Sequence, residues 1–206
     1  MLYPKLPELV KEIRKRKAIS FIVTNGQNPE MIKKLEKQNA LPTQLTVSMN
    51  ASNKELFQRW HNSKNRDAWE KFNLSLEMIR NLKGKTRRAI RLTLVKGYNI
   101  KDNKNKLDKI SNMLDEHVKQ YSNLINKANP DFIHVKGFKS LGYSRERLGY
   151  EKQPFHVDVR KFTTKLLKEL QKTDKNWRVA GQVSRSCVFL LSRRKKEELK
   201  IKKNEF

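Results

Sequence analysis

Only one cysteine, Cys187, occurs among the 206 residues, and that scarcity removes whole classes of chemistry. A lone thiol forms no internal disulfide, and it cannot by itself hold a zinc ion or an iron–sulfur cluster, which need three or four thiolate or imidazole ligands. Lying in the apolar run CVFLL, it reads as a buried core residue. Acid is scarce too, with 21 Asp and Glu against 47 Lys and Arg and a formal charge of +26. Such an excess repels itself unless a polyanion neutralises it, so RNA, DNA or an anionic membrane are the candidate partners. Ion-pair-rich thermophile surfaces balance Lys with Glu, and this one does not. The Lys-rich helices lack a Trp/Phe/Leu insertion face, which argues against a membrane surface and for nucleic acid. Long apolar runs are missing: no window approaches the ~18 apolar residues of a bilayer span, and the N-terminus lacks the apolar core of a signal peptide. A soluble, cytoplasmic protein is expected. Also absent are GxGxxG and GxxxxGK[ST], hence any nucleotide fingerprint. The histidines His61, His117, His134 and His156 show neither metal-ligand spacing nor a nucleophile partner.

What remains is a repeating pattern. At this length one domain with appendages is expected. Short apolar or β-branched runs that stop at polar residues or glycine occur at 18–26 (AISFIVTNG), 44–50 (QLTVSMN), 89–99 (AIRLTLVKGYN) and 131–138 (DFIHVKGF). Read as continuous apolar runs, they suggest parallel strands covered on both faces. Helical spacing lies between them: Leu6, Leu9, Val10 and Ile13 before the first strand, then Asn28 as N-cap with Pro29 in the first turn and Met31, Ile32 and Leu35 behind. An insertion over 53–83 and a helix over 106–128 continue the alternation. After Pro154 a further helix carries Phe162, Leu166, Leu167 and Leu170, and WRVAGQV and SCVFLLS form a terminal hairpin. The expected class is α/β: about four parallel strands, 19–24, 44–49, 90–96 and 132–136, paired in sequence order through right-handed helical crossovers. The expected division is a partial β/α barrel over 1–150, a helix and hairpin over 151–192, and a solvated basic tail over 193–206.

In parallel β/α sheets ligands gather at the carboxyl ends of the strands. That rule selects Thr24, Asn25, Ser48, Asn50, Lys96, Asn99, Lys136 and Lys139, with Thr24, Ser48, Lys96 and Lys136 expected around one mouth. Short hydrogen-bonding side chains with cations suit hydroxyls, an amide or a carboxylate better than acid–base work. The stretch 136–152, KGFKSLGYSRERLGYEK, interleaves cations with Phe138, Tyr143 and Tyr150. Cations for phosphates and flat rings for unstacked bases are what single-stranded RNA loops require.

The blocks FIVTNG, QLTVSMNA, SKNRDAWEKF, RLTLVKGYN and HVKGFKSLGYSRERLGYEKQPFHVDV together resemble the catalytic domain of the tRNA 4-demethylwyosine synthase family, in the family's order and along nearly the whole chain. The resemblance implies a radical S-adenosylmethionine lyase with a (β/α) barrel. It condenses pyruvate with N1-methylguanosine at position 37 of phenylalanine tRNA, forming the tricyclic precursor of wyosine-type bases. It also implies S-adenosyl-L-methionine and a [4Fe-4S] cluster as cofactors and the tRNA anticodon loop as partner. Thr24, Asn25, Ser48, Asn50, Lys96, Gly97 and Asn99 then fall on strand ends that contact the cofactor, and Lys136, Lys139, Arg145, Arg147 and His156 on the block facing the tRNA.

The sequence departs from the family's pattern in four respects that bear on activity: the CxxxCxxC loop, the upstream cysteines of a second cluster, the proposed substrate lysine and the Gly-Glu-Pro strand end are absent from it. The four strands are therefore expected to be strands three to six of a six-stranded partial barrel, inactive alone or completed by a separate chain that supplies the cluster half. The alternative is a non-catalytic, basic tRNA-binding module derived from that enzyme.

Overall fold

A computed structural model describes residues 2–97 and 111–205. Four parallel strands alternate with helices: α1 (Leu6–Lys15), β1 (Phe21–Thr24), α2 (Pro29–Lys37), β2 (Gln44–Ser48), α3 (Lys54–His61), α4 (Ala68–Asn81), β3 (Arg87–Leu94), α5 (Asp115–Ala128) and β4 (Phe132–Gly137). After the short α6 (Tyr143–Leu148) and the long α7 (His156–Leu170), the hairpin β5 (Arg178–Val183) and β6 (Val188–Ser192) closes the order. The sheet runs β1-β2-β3-β4-β6-β5, parallel from β1 to β4 and antiparallel from β4 onward. Local chemistry starts the helices as the sequence suggests: Asn28 Oδ1 accepts the Met31 N–H at 3.1 Å ahead of Pro29, and Asn53 Oδ1 accepts the Leu56 N–H at 2.8 Å.

The register separates two faces. Leu45, Val47, Ile90, Leu92, Leu94, Ile133, Val135, Phe189 and Leu191 share one side and join Ile32, Leu35, Phe72, Leu76, Ile79, Tyr121, Ile125, Phe162 and Leu166 of the helices in one core. The opposite side carries Gln44, Thr46, Ser48, Arg91, Thr93, His134 and Lys136, and none of these belongs to that core. Among the described residues, the helices of that core thus cover one face only. Covering on both faces is corrected here, because Arg91, Thr93, His134 and Lys136 alternate with apolar neighbours, the period of a strand with one wet side.

Three further expectations need correction. The third strand spans 87–94 rather than 90–96, because Arg88 is carried inside by Asp131. Arg88 Nε and Nη2 donate to the Asp131 carboxylate at 3.1 and 2.9 Å, and Arg88 Nη1 reaches the Arg80 carbonyl at 3.1 Å at the end of α4. Of the helix expected over 106–128, residues 106–110 lie outside the described residues, 111–114 are non-helical and Asp115–Ala128 are helical; Asn112 ties two strand ends together, as described below. The tail over 193–206 is not simply solvated. Arg87 Nη1 donates to the Glu198 carbonyl and the Glu205 carboxylate, and Arg87 Nη2 to the Leu199 carbonyl at 2.7 Å, so the tail lies across the amino ends of the strands.

The edge expectation holds. Phe21 and Val23 on β1 are 56% and 50% exposed, β1 has β2 as its one strand neighbour among the described residues, and the hairpin sits on the far side, against β4.

Candidate functional site

The helix-free face is organised in rows across the strands. Ser48, Arg91 and His134 form one row and Thr93 with Lys136 the next, nearer the carboxyl ends. Arg91 Nη2 donates to Ser48 Oγ at 2.9 Å. Burial, with the Arg91 guanidinium second, lowers the His134 pKa below its ordinary value, so this imidazole is neutral at pH 7. No Asp or Glu occupies a position on this face in β1 to β4. The positions that β1 to β4 place on this face are mostly polar or cationic and include no carboxylate, which suits an anionic or hydroxyl-bearing ligand.

At the carboxyl ends the expected residues separate. Thr24 turns away from the open face: it pairs with Val47, is buried, and its Oγ1 accepts the Gly26 N–H at 3.1 Å. The turn beyond is fixed by Gly26, whose φ of +74° and 3.1 Å clearance to Phe72 admit no side chain. Thr24 is thus corrected from mouth to turn. Asn25 is exposed and caps the turn by accepting the Gln27 N–H. Ser48 lies on the open face beside Arg91. Asn50 is half-buried; its carbonyl accepts from Asn112 Nδ2 and Tyr121 Oη at 2.9 and 3.0 Å, while its side-chain Oδ1 is buried with no donor among the described residues. Lys96 Nζ meets Asp158 at 3.4 Å, and Gly97 passes Ser111 so closely that a Cβ would stand 3.0 Å from the serine Cβ. Asn99 lies outside the described residues.

The basic, aromatic block sits on the same rim. Leu148 of α6 packs with Val95, Phe138 and Trp60, which seats the block over the end of β3. Arg147 lies near enough to His61 to lower its pKa, after the larger effect of burial. Tyr143, Tyr150 and Phe155 stay exposed, as do Arg145 and Arg147, so rings and guanidinium groups share one surface. Lys136 faces the open side of the sheet. Lys139 Nζ approaches the buried Cys187 Sγ at 3.4 Å. His156 does not join the exposed cluster: its ring stacks on the core residue Phe189 with centroids 4.8 Å apart.

Strand-end reasoning missed Arg91, Thr93, His134 and Asn112. The first three were visible as the period-two alternation in IRLTL and FIHVKG. Asn112 is fully buried and its Oδ1 accepts the Val95 N–H at 2.8 Å while Nδ2 donates to the Asn50 and Thr93 carbonyls; no short-range signal marks it.

Comparisons agree with this geometry. A solved structure of TYW1 with a lysine-pyruvate adduct bound superposes with a TM-score of 0.69 at 26% identity, covering 93% of this chain and 53% of that one. The mostly parallel sheet with its one-sided helices is accordingly part of a radical S-adenosylmethionine fold. The family model for wyosine base formation matches residues 127–193. The S-adenosyl-L-methionine-dependent tRNA 4-demethylwyosine synthase of Pyrococcus abyssi is 39% identical over 193 residues, 94% of this chain and 50% of that protein. The synthases of Arabidopsis thaliana and Homo sapiens are 33% and 30% identical, over 27% and 23% of their lengths. The chain belongs to the tRNA 4-demethylwyosine synthase family, and it spans about half the length of the archaeal relatives it matches.

The residues present do not fit an iron–sulfur cluster. The sequence has a single thiol, and among the described residues no three His, Cys, Asp or Glu side chains converge on a metal position. They do fit a polar organic ligand: Asn50 Oδ1 and Arg91 Nε are buried without protein partners beside the open face. No helix among the described residues is long and apolar enough to cross a membrane.

Proposed function

We propose that this chain is the substrate- and tRNA-holding half of a 4-demethylwyosine-forming enzyme, inactive alone and completed by a separate segment or chain that brings the cluster thiolates. The observation that carries the reading is an open face with no Asp or Glu in β1 to β4, followed after β4 by the exposed Tyr143, Arg145 and Arg147, on a chain homologous to the synthases along 94% of its length. Ser48, Asn50, Lys96 and Gly97 hold S-adenosylmethionine at the carboxyl ends of the strands, with Asn25 at the entrance. S-adenosylmethionine contributes the radical chemistry; this chain contributes binding, orientation and exclusion of water. The free edge of β1 is where the missing strands of the barrel pair. Lys136, Lys139, Arg145 and Arg147 take the anticodon-loop phosphates, and Tyr143 and Tyr150 take unstacked bases.

The test is tRNA binding as a function of salt. If about 6–10 phosphate contacts form, affinity for phenylalanine tRNA falls by about 10³ to 10⁵ between roughly 50 and 200 mM salt. Replacing Arg145 and Arg147 with Ala weakens binding far more than replacing Lys202 and Lys203. An affinity flat with salt, or equal losses in the two double variants, refutes the placement.

A further inference from the structure

The loop between α3 and α4 borders a cavity of about 270 Å³. Phe57, Ala68 and Trp69 form the apolar part of its lining. The rings of Phe57 and Trp69 meet edge to face with centroids 5.4 Å apart, and both pack on Phe72 at 5.4 and 5.6 Å. Phe57 is buried and Trp69 is half-buried, so the aromatic cluster is anchored in the core and one of its rings reaches the cavity. The polar part of the lining comes from Gln58, Asn62, Asn65 and Arg66, all exposed and without a side-chain hydrogen bond or ion pair among the described residues. No carboxylate lines the cavity, and the adjacent Asp67 is held by Lys71 at 2.8 Å. An aromatic ring with free amides beside it suits one flat heteroaromatic ring system, which needs stacking on its face and both donors and acceptors along its edge. The volume lies just below the range of about 300–1,000 Å³ that takes a whole drug-sized ligand, and so suits a single base.

We propose that this cavity is a base-binding subsite, separate from the open sheet face, that takes one unstacked nucleobase of the RNA. The base stacks on Trp69, its edge meets the amides of Gln58, Asn62 and Asn65, and Arg66 takes the attached phosphate. The inference rests on the reading of the α6 surface as the RNA side. Two contacts tie the cavity to that surface: Trp60 of α3 packs with Leu148 of α6, and Arg147 of α6 acts on His61 at the end of α3. α3 therefore lies between α6 and the cavity, and a helix is about 10 Å across with its side chains, so nucleotides on both sides of it belong to one RNA loop. A free nucleotide is the less suitable occupant, because a chain of charge +26 gains far more from a polyanion. Amide side chains read base edges, so the subsite adds a sequence preference that phosphate contacts alone do not supply.

The experiment titrates the full chain with the anticodon stem-loop of phenylalanine tRNA and with a series of the same RNA in which one loop nucleotide at a time is abasic. In the wild type, removing the base that occupies the subsite weakens binding about ten-fold, the scale of one base stacked on an aromatic ring. The double variant Asn65→Ala, Arg66→Ala lies in the exposed loop and leaves the core intact; it binds the complete RNA about ten-fold less tightly and shows little further loss at that one abasic position. Tyr143→Ala keeps the full loss there, which separates the subsite from the rings of the α6 surface. The indole N–H resonance of Trp69 moves on addition of the complete RNA and not with the RNA lacking that base. Losses that simply add in the loop variant at every abasic position, or a Trp69 signal that no RNA moves, overturn the proposal. Adenosine or guanosine monophosphate bound as tightly as the stem-loop also overturns it, because the occupant is then a free nucleotide. A chain that binds the stem-loop with steep salt dependence but shows no coupled position refutes the subsite alone; one that does not bind it refutes the wider reading as well.

Discussion

Asparagine in place of Asp131 tests whether the sheet is organised around a buried charge pair. The Asp131 carboxylate accepts the Arg88 backbone N–H at 2.9 Å, Arg88 Nε at 3.1 Å and Arg88 Nη2 at 2.9 Å, and Arg194 Nη2 lies 3.1 Å away. Arg88 is 1% exposed. An amide offers one oxygen to this set of donors and turns an NH₂ toward a guanidinium that water cannot reach. Removing one partner of a buried pair costs about 3–5 kcal/mol. For a domain of this size that corresponds to a melting point lower by about 6–20 °C. Urea unfolding followed by circular dichroism measures the loss directly. The pH dependence has a definite sign. Burial alone would raise the Asp131 pKa, but the Arg88 hydrogen bonds and the charges of Arg88 and Arg194 outweigh it and leave it lowered. The stabilisation is therefore fully present above the unfolded value of about 3.9 and is lost as pH falls through the lower folded value. The gap between wild type and Asp131→Asn narrows as pH drops from about 5 toward 3. A loss below about 1 kcal/mol at pH 7, or a gap that does not narrow, refutes the buried pair.

Two further outcomes follow from the same geometry. An NMR titration of His134 places its midpoint below the ordinary histidine value of about 6.5, because burial and Arg91 both disfavour the imidazolium; a midpoint above it contradicts the placement of this ring beside Arg91. The free β1 edge with Phe21 and Val23 exposed makes the chain self-associate, and Val23→Lys reduces this in sedimentation experiments; a wild-type chain that stays monomeric at high concentration rules the edge out as sticky.

The sequence by itself determined the α/β alternation, the parallel order of the four strands, the terminal hairpin and the basic character of the rim. These rest on local periodicity and capping, such as Asn28 before Pro29, which short stretches encode completely. It also carried the family through long ordered blocks such as HVKGFKSLGYSRERLGYEK. Tertiary structure alone decided which side of each strand is wet. The strand-end rule placed Thr24 at the mouth, yet a one-residue step along a strand reverses the side chain, and the pairing of Thr24 with Val47 put it under the helices. The same pairing raised Arg91 and His134 into the site. The start of β3 and the course of the tail were likewise illegible, because they depend on Asp131 and Glu205, 43 and 118 residues away from the arginines they hold. Asn112 joins two strand ends from a segment that reads as helix, since its hydrogen bonds reach carbonyls 19 and 62 residues distant. Side-chain periodicity reports the nearest neighbours in the chain; the choice of face and the counter-charges are made by contacts that form only once the sheet is assembled.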